Sequence, residues 1–301
     1  MRAFQVSTHD VAPWLTEIDV PKPNPGEVLL EILACGLNFA DLLMAKGSYQ
    51  ETPPAPFTLG LEVCGRVLEQ GEGVVFPPVG ARVAVVGGSG GLAERGKFAA
   101  SACSIVPDAM PDEVAAGFQI AYGTSHLALT RRAQLRPGER LVVLGAAGGV
   151  GLTAVEIGKA LRAEVVAVAR GPEKLAIAKE AGADHLIDAG ADLTAEIKAL
   201  GGADVVYDPV GGEYAEPALR AIAWEGRYLV IGFPAGIPKF PLNLLLLKGC
   251  DVRGVFWGAW VQREPKRHES NMQHLLELYA SGRIRPRISA RFPLVEGGAA
   301  L

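Results

Sequence analysis

The sequence predicts an α/β protein, a doubly wound parallel sheet that follows a β-rich unit. Three observations predict it. Residues 141–170, LVVLGAAGGVGLTAVEIGKALRAEVVAVAR, pass from four apolar residues through a glycine-rich turn into helical apolar spacing and end on a second apolar run, Val165 to Ala169. Strand, glycine turn, helix and parallel strand within about 30 residues make the dinucleotide-binding unit. From Pro111 to about residue 280, strand-like and helix-like segments alternate, as in a parallel sheet with helices on both faces. The first 110 residues instead hold short apolar runs broken by proline and glycine, which suits antiparallel strands and turns.

In chain order, strands are expected at Ala3 to Val6, Leu15 to Val20 and Val28 to Leu33. Pro21, Pro23, Pro25 and Gly26 separate the last two, a turn no central strand could hold. Asn38 to Lys46 predicts a short helix, with Asn38 as its N-cap and Gly47 just past its end. Pro53, Pro54 and Pro56 force an extended loop, and Leu61 to Leu68 and Arg82 to Val86 read as strands. A second glycine cluster, Gly87 to Gly91 (with Ser89 inside it), has no helical pattern opening on it. It reads as a mobile turn and not as a phosphate cradle.

Pro111-Asp112-Glu113 starts a helix, with acidic residues in its first turn. Pro172 sits at a first helical position, and the helix from Glu173 is closed by Gly182. Leu186-Ile187 is a short strand, Leu193 to Leu200 a helix stopped by Gly201-Gly202, and Val205 to Tyr207 and Tyr228 to Ile231 two more strands. A helix from Tyr214 to Ala223 lies between those strands; Asp251 to Phe256 is the last strand and Arg267 to Ser281 the last long helix. Ligands of such sheets sit beyond the carboxyl ends of the strands. Here those ends carry Gly145, Arg170, Asp208 to Gly211 and Gly232 to Gly236.

The turn matches G-x-G-x-x-G with Ala146 in the first glycine place. Gly148 lets main chain approach a pyrophosphate, Gly151 lets helix pack on strand, and the helix N-terminus offers free N–H groups to phosphate. Enzymes for NAD place Asp or Glu about 20 residues further on, to hold the ribose 2′-hydroxyl. That place holds Arg170, with Lys174 one helical turn later. Two cations suit a 2′-phosphate and cannot accept from a hydroxyl, so NADPH is favoured over NADH.

At 301 residues the chain is long enough for two domains. A net charge of −4 and a pI near 5.8 argue against a protein built to hold nucleic acid. Uninterrupted apolar runs such as Leu244 to Leu247 are too short to span a bilayer, and Met1-Arg2 leads straight into AFQV without a signal-peptide apolar region. Cys35, Cys64, Cys103 and Cys250 are scattered, which fits reduced thiols in the cytoplasm. His9, His126, His185, His268 and His274 form no metal-ligand spacing.

The segments GLNFADLLMAKGSY (36–49), LGLEVCGRV (59–67), GAAGGVGLTAVEIGKAL (145–161), VVYDPVGG (205–212) and VRGVFWGAW (252–260) carry a resemblance over nearly the whole chain. It is similar to the zinc-independent quinone oxidoreductases of the medium-chain dehydrogenase/reductase superfamily, the group that includes zeta-crystallin. The resemblance implies a GroES-like catalytic domain over 1–112, to which 283–301 return, and a Rossmann domain over 113–282, with the active site in the cleft between them. Zinc alcohol dehydrogenases carry a ligand cysteine in the place of Asn38, a ligand histidine in that of Leu61 and another ligand cysteine in that of Ala116. Amide and alkyl groups cannot replace thiolate and imidazole, so no catalytic metal is expected.

By the same resemblance, Asn38 and Tyr49 are the catalytic candidates at the nicotinamide end. Asn38 would donate to the carboxamide or to the acceptor's oxygen, and Tyr49 would orient the acceptor or supply the final proton. Ala147, Gly148, Gly149 and Val150 go to the pyrophosphate, with Gly151 in the same cofactor-binding turn, Arg170 and Lys174 to the 2′-phosphate, and Phe233, Phe256 and Trp257 to the nicotinamide side as an aromatic wall. Many relatives have tyrosine where Asp188 stands, which weakens the NADPH reading somewhat, and others have tyrosine where Leu43 stands, which leaves a more apolar pocket here. The chain ends at Ala299-Ala300-Leu301, where the resemblance implies a further helix and strand of roughly 25 residues. A homodimer would form by pairing of the edge strand at Asp251 to Phe256. The function expected is an NADPH-dependent, metal-free reductase of quinones and of activated α,β-unsaturated carbonyls. The alternatives are an enoyl-thioester reductase and a non-catalytic NADPH- or RNA-binding relative.

Overall fold

In the computed structural model, which describes residues 1–9 and 11–301, the chain divides into two units. One comprises Met1–Ile120 with Pro286–Leu301, the other Ala121–Arg285. The first holds β1 (Arg2–Val6), β2 (Trp14–Glu17), β3 (Glu27–Gly36), α1 (Phe39–Ala45), β4 (Phe57–Thr58), β5 (Glu62–Gln70), β6 (Arg82–Val86), β7 (Arg95–Ala99), β8 (Cys103–Ile105) and α2 (Asp112–Ala116). They form a three-stranded sheet, β2-β1-β4, and a five-stranded one, β7-β3-β5-β6-β8. Every pairing is antiparallel.

Alternate side chains of the long strands face one way, so Val28 and Leu30 of β3 meet Val63 and Val67 of β5, Val83 and Val85 of β6 and Phe98 of β7 in one core. A second core gathers Phe4, Val6, Met44, Phe57, Leu59, Leu61 and Leu92. β3 runs three residues past the expected Leu33, because Ala34, Cys35 and Gly36 keep pairing with Cys64, Val63 and Glu62. The ladder outlasts the apolar run that announced it. The second glycine cluster is a turn, and a pinned one. The N–H groups of Gly87 and Gly88 reach Leu61 O, that of Gly90 reaches Thr58 O and that of Gly91 reaches Gly60 O. Those donors are spent on the neighbouring loop.

The second unit opens within α3 (Gln119–His126) and continues through a π-helical stretch, Leu127–Arg132. It contains β9 (Arg140–Leu144), α4 (Gly149–Ala160), β10 (Glu164–Ala169), α5 (Pro172–Glu180), β11 (His185–Asp188), α6 (Leu193–Ala199) and β12 (Ala203–Asp208). Then come α7 (Ala215–Arg220), β13 (Ile222–Val230), α8 (Leu242–Lys248), β14 (Asp251–Gly254), α9 (Trp257–Arg263) and α10 (Pro265–Ala280), while α11 (Gly297–Ala300) lies in the returning segment of the first unit. The sheet order is β11-β10-β9-β12-β13-β14 with every neighbour parallel, the doubly wound order of a dinucleotide-binding sheet. Strand order reverses between β9 and β12, so a crevice opens beyond their carboxyl ends.

Two features depart from the expectation. The helix after Tyr214 stops at Arg220, and the alanine-rich residues behind it enter β13. Alanine's helix propensity yields there to pairing with β12. α8 and α9 were not anticipated, since LNLLLLK lacks a helical period and α9 begins inside the aromatic run after β14. Among the described residues, no helix is long and apolar enough to cross a membrane.

Candidate functional site

β9 is buried along Leu141 to Leu144 and delivers the chain to Gly145, whose φ of +59° only glycine adopts freely. The turn is closed by Gly148 N–H donating to Gly145 O at 2.9 Å, while Ala146 N–H reaches Val168 O at 3.0 Å. α4 starts at Gly149 with Gly148 as N-cap and no side chain capping it, so its first N–H groups face outward unpaired by the helix. A Cβ at Gly151 would lie 2.2 Å from Gly145 O, whereas one at Gly149 would meet nothing within 4 Å. Gly151 is therefore dictated by packing inside the chain, and Gly149 by neither packing nor backbone angle. An uncapped helix end beside a glycine with open space over it fits a pyrophosphate. Ala147 and Val150 are half-buried in the same turn.

Polar residues that the sequence reading missed hold this turn in place. Ser125 Oγ lies 2.8 Å from Tyr207 OH, 2.7 Å from Thr153 Oγ1 and 3.0 Å from Val150 O. Thr153 Oγ1 in turn reaches Ala121 O at 3.1 Å. The hydroxyls tie the first turn of α4 to α3 and β12 where water cannot compete. At the end of β12, Asp208 accepts the N–H groups of Val210 and Gly211, both at 2.8 Å, and Tyr228 OH at 2.6 Å. For Ser125 and Thr153 the only sequence signal was a polar residue among apolar ones, whereas Asp208 already stood out at the end of its strand.

Arg170, one residue past β10, is exposed, and its guanidinium donates to Tyr214 OH at 2.8 Å. Lys174 is exposed in the first turn of α5. Asp188 lies beside Ala169 in the β10–β11 register. Its carboxylate accepts Gly190 N–H at 2.8 Å and Gly171 N–H at 2.9 Å. Those bonds, Gly190's first, hold its carboxyl below the usual range. Asp188 is thus turned to main chain, and the position after β10 presents a guanidinium.

The catalytic candidates lie in the other unit. Asn38 is the N-cap of α1, half-buried, with its N–H donating to Asp41 Oδ2 at 2.8 Å. Its side-chain Nδ2 donates to Glu62 Oε1 at 2.9 Å. Glu62 and Asp41 were not anticipated. Burial pushes Glu62 up to about 7 against the pull of its hydrogen bonds with Asn38 and Ile120, and burial likewise pushes Asp41 up to about 6. Tyr49 is half-buried against the core of Phe4, Met44 and Leu59; burial, and then the Glu51 charge, raise its phenol. Phe233 and Phe256 are exposed, but Trp257 is 7% exposed. A Cβ on Gly123 would lie 2.6 Å from Trp257 Nε1, so that indole packs on α3 and edge-on to His268.

This combination defines a class: a nucleotide-dependent oxidoreductase built from an antiparallel β unit and a doubly wound unit. Residues 24–118 match the alcohol dehydrogenase GroES-like domain, and residues 149–278 match the zinc-binding dehydrogenase family. A quinone oxidoreductase-like protein 2 homolog of Nematostella vectensis is 36% identical over 89% of this chain and 75% of its own. A synaptic vesicle membrane protein VAT-1 homolog of Homo sapiens is 32% identical over 91% of this chain and 74% of its own. Among solved structures, the Thermus thermophilus quinone oxidoreductase, also determined with NADPH, superposes with a TM-score of 0.86 at 35% identity, covering 100% of this chain and 94% of that one. The Escherichia coli quinone oxidoreductase complexed with NADPH does so with 0.91 at 27%, covering 100% and 95%. The chain belongs to the zinc-independent quinone oxidoreductase family of the medium-chain dehydrogenases/reductases.

The wider family's name raises zinc, and the residues do not fit it. Asn38 presents an amide engaged with Glu62, Leu61 is an isobutyl group in the core and Ala116 a buried methyl. None replaces thiolate or imidazole. Among the described residues, no group of three or more His, Cys, Asp or Glu side chains is placed to hold a metal ion.

Proposed function

We propose that the protein is an NADPH-dependent reductase of quinones that also accepts activated α,β-unsaturated carbonyls. The single observation that carries the cofactor is Arg170, exposed at the end of β10 while the nearby Asp188 is committed to main-chain N–H groups. The likeness to quinone oxidoreductases determined with NADPH supports it. Bound NADPH would supply a hydride. The chain would supply N–H groups at Gly149 and Val150 for the pyrophosphate, Arg170 and Lys174 for the 2′-phosphate, and the Asn38 amide for an oxygen on which charge develops. An acceptor that is already electrophilic suits a side-chain set of amide, isobutyl and methyl at Asn38, Leu61 and Ala116, which offers no Lewis-acid ligation. The expected result is rapid NADPH oxidation with 1,4-benzoquinone and slow oxidation with crotonyl-CoA. Thioester turnover without quinone turnover would overturn the substrate class.

We also propose a homodimer formed along β14. This strand is one of the two edges of the six-stranded sheet, and one row of its main-chain groups faces away from β13. Light scattering on the eluted protein should give twice the 31.6 kDa chain mass; a single chain mass would remove the dimer.

A further inference from the structure

β5 runs antiparallel to β3 with Glu62 opposite Gly36, which brings Glu62 to the start of α1. There Oε1 accepts Asn38 Nδ2–H at 2.9 Å and Oε2 accepts the Ile120 main-chain N–H at 3.1 Å. Glu62 is 2% exposed, and carboxylates are almost never so buried unless partnered. Here the partners are N–H groups.

We infer that Glu62 is a positioning residue for the reduction, fixing which way round the Asn38 amide stands. The inference rests on the reading that Asn38 meets the bound nicotinamide or the acceptor. A primary amide has a donor end and an acceptor end of nearly equal size, so shape scarcely separates two orientations half a turn apart. Hydrogen bonding does separate them. Above the value of about 7 to which burial pushes it, Glu62 is ionised and its oxygens only accept, so Nδ2 faces Glu62, and Oδ1 and the second Nδ2 hydrogen then point in fixed directions. Asp41 fixes the backbone beneath them: Oδ2 accepts Asn38 N–H at 2.8 Å and Oδ1 accepts Gly60 N–H at 3.1 Å. The capping box of α1 pairs residues 38 and 41 reciprocally; the Glu62 contact is additional, and it acts on the Nδ2 end of the Asn38 side chain.

Glu62→Gln tests this with almost no change of shape. The new amide's oxygen would keep the Ile120 N–H, leaving an NH2 group facing the Asn38 NH2 group, donor against donor. Turning the Asn38 amide over relieves the conflict and exchanges its outward donor and acceptor. With NADPH and 1,4-benzoquinone, kcat should fall about tenfold or more, with the melting temperature and the KM for NADPH nearly unchanged. Asn38→Ala should be as slow, and the double variant no slower than Asn38→Ala, since both changes act through one amide. A normal kcat in Glu62→Gln, or losses that multiply in the double variant, would overturn the inference while leaving the reading of Asn38 standing. A normal kcat in Asn38→Ala would overturn that reading, and the inference with it. Should Glu62→Gln fail to fold, Asn38→Asp combined with Glu62→Gln restores the hydrogen bond with donor and acceptor exchanged. That variant should fold and stay as slow as Asn38→Ala; parental speed would overturn the inference.

Discussion

Reversing two charges, Arg170→Glu with Lys174→Glu, should raise the KM for NADPH about a hundredfold and change that for NADH less than about threefold. The two coenzymes differ by one phosphate on the adenosine ribose, so only a contact to that phosphate can separate them. Arg170 is exposed beyond β10 and is oriented by Tyr214, and a guanidinium and an ammonium each contribute about tenfold to holding a phosphate when not screened by salt. The new glutamates would repel the phosphate and could accept from a 2′-hydroxyl, as the acid does in enzymes for NAD. In the parent protein, the preference for NADPH should shrink as salt rises, because both cations lie in solvent. Equal losses for both coenzymes, or none for either, would remove the 2′-phosphate from these side chains. Tyr214→Phe should give an intermediate result, because it frees the guanidinium without removing it.

What could be read in advance was what lies close together along the chain. The glycine turn, its two strands and Arg170 fall within one stretch of residues 141–170, so spacing alone showed the unit and its coenzyme preference. Asn38 was legible as an N-cap for the same reason. Glu62 was not, because its partner is 24 residues away and the two meet only through the β3–β5 register. Ser125 and Tyr207, 82 residues apart, were hidden in the same way. Trp257 shows the opposite case: the family resemblance set it beside Phe256 in an aromatic wall, and the missing side chain of Gly123 makes room for its indole on α3. A vacancy on a distant helix leaves no local mark. Gly87 to Gly91 had a correct local reading as a turn, yet the hydrogen bonds that tie it to residues 58–61 came from another strand connection.

Gly151→Ala and Gly149→Ala should part company, although the positions are two residues apart on one helix. At Gly151 a methyl group would lie 2.2 Å from Gly145 O and 3.1 Å from Ala146 Cα. Both are main-chain atoms at the mouth of a fully buried strand, so neither can yield as a flexible side chain would. The start of α4 must lift away from β9, at about 1–3 kcal/mol for the overpacked contact. That lift also swings the unpaired N–H groups off the phosphate, so this variant should lose about 5 °C of melting temperature and bind NADPH too weakly to saturate. At Gly149 the methyl group meets nothing, and alanine suits a helix better than glycine. Its melting temperature should therefore hold or rise slightly, while NADPH affinity falls about tenfold because the methyl occupies the pyrophosphate's place. Calorimetric titration of both variants with NADPH, beside their thermal melts, separates the two effects. If Gly149→Ala bound NADPH as tightly as the parent, the open space above that glycine would not be where the coenzyme lies, and the assignment of the turn would fall with it.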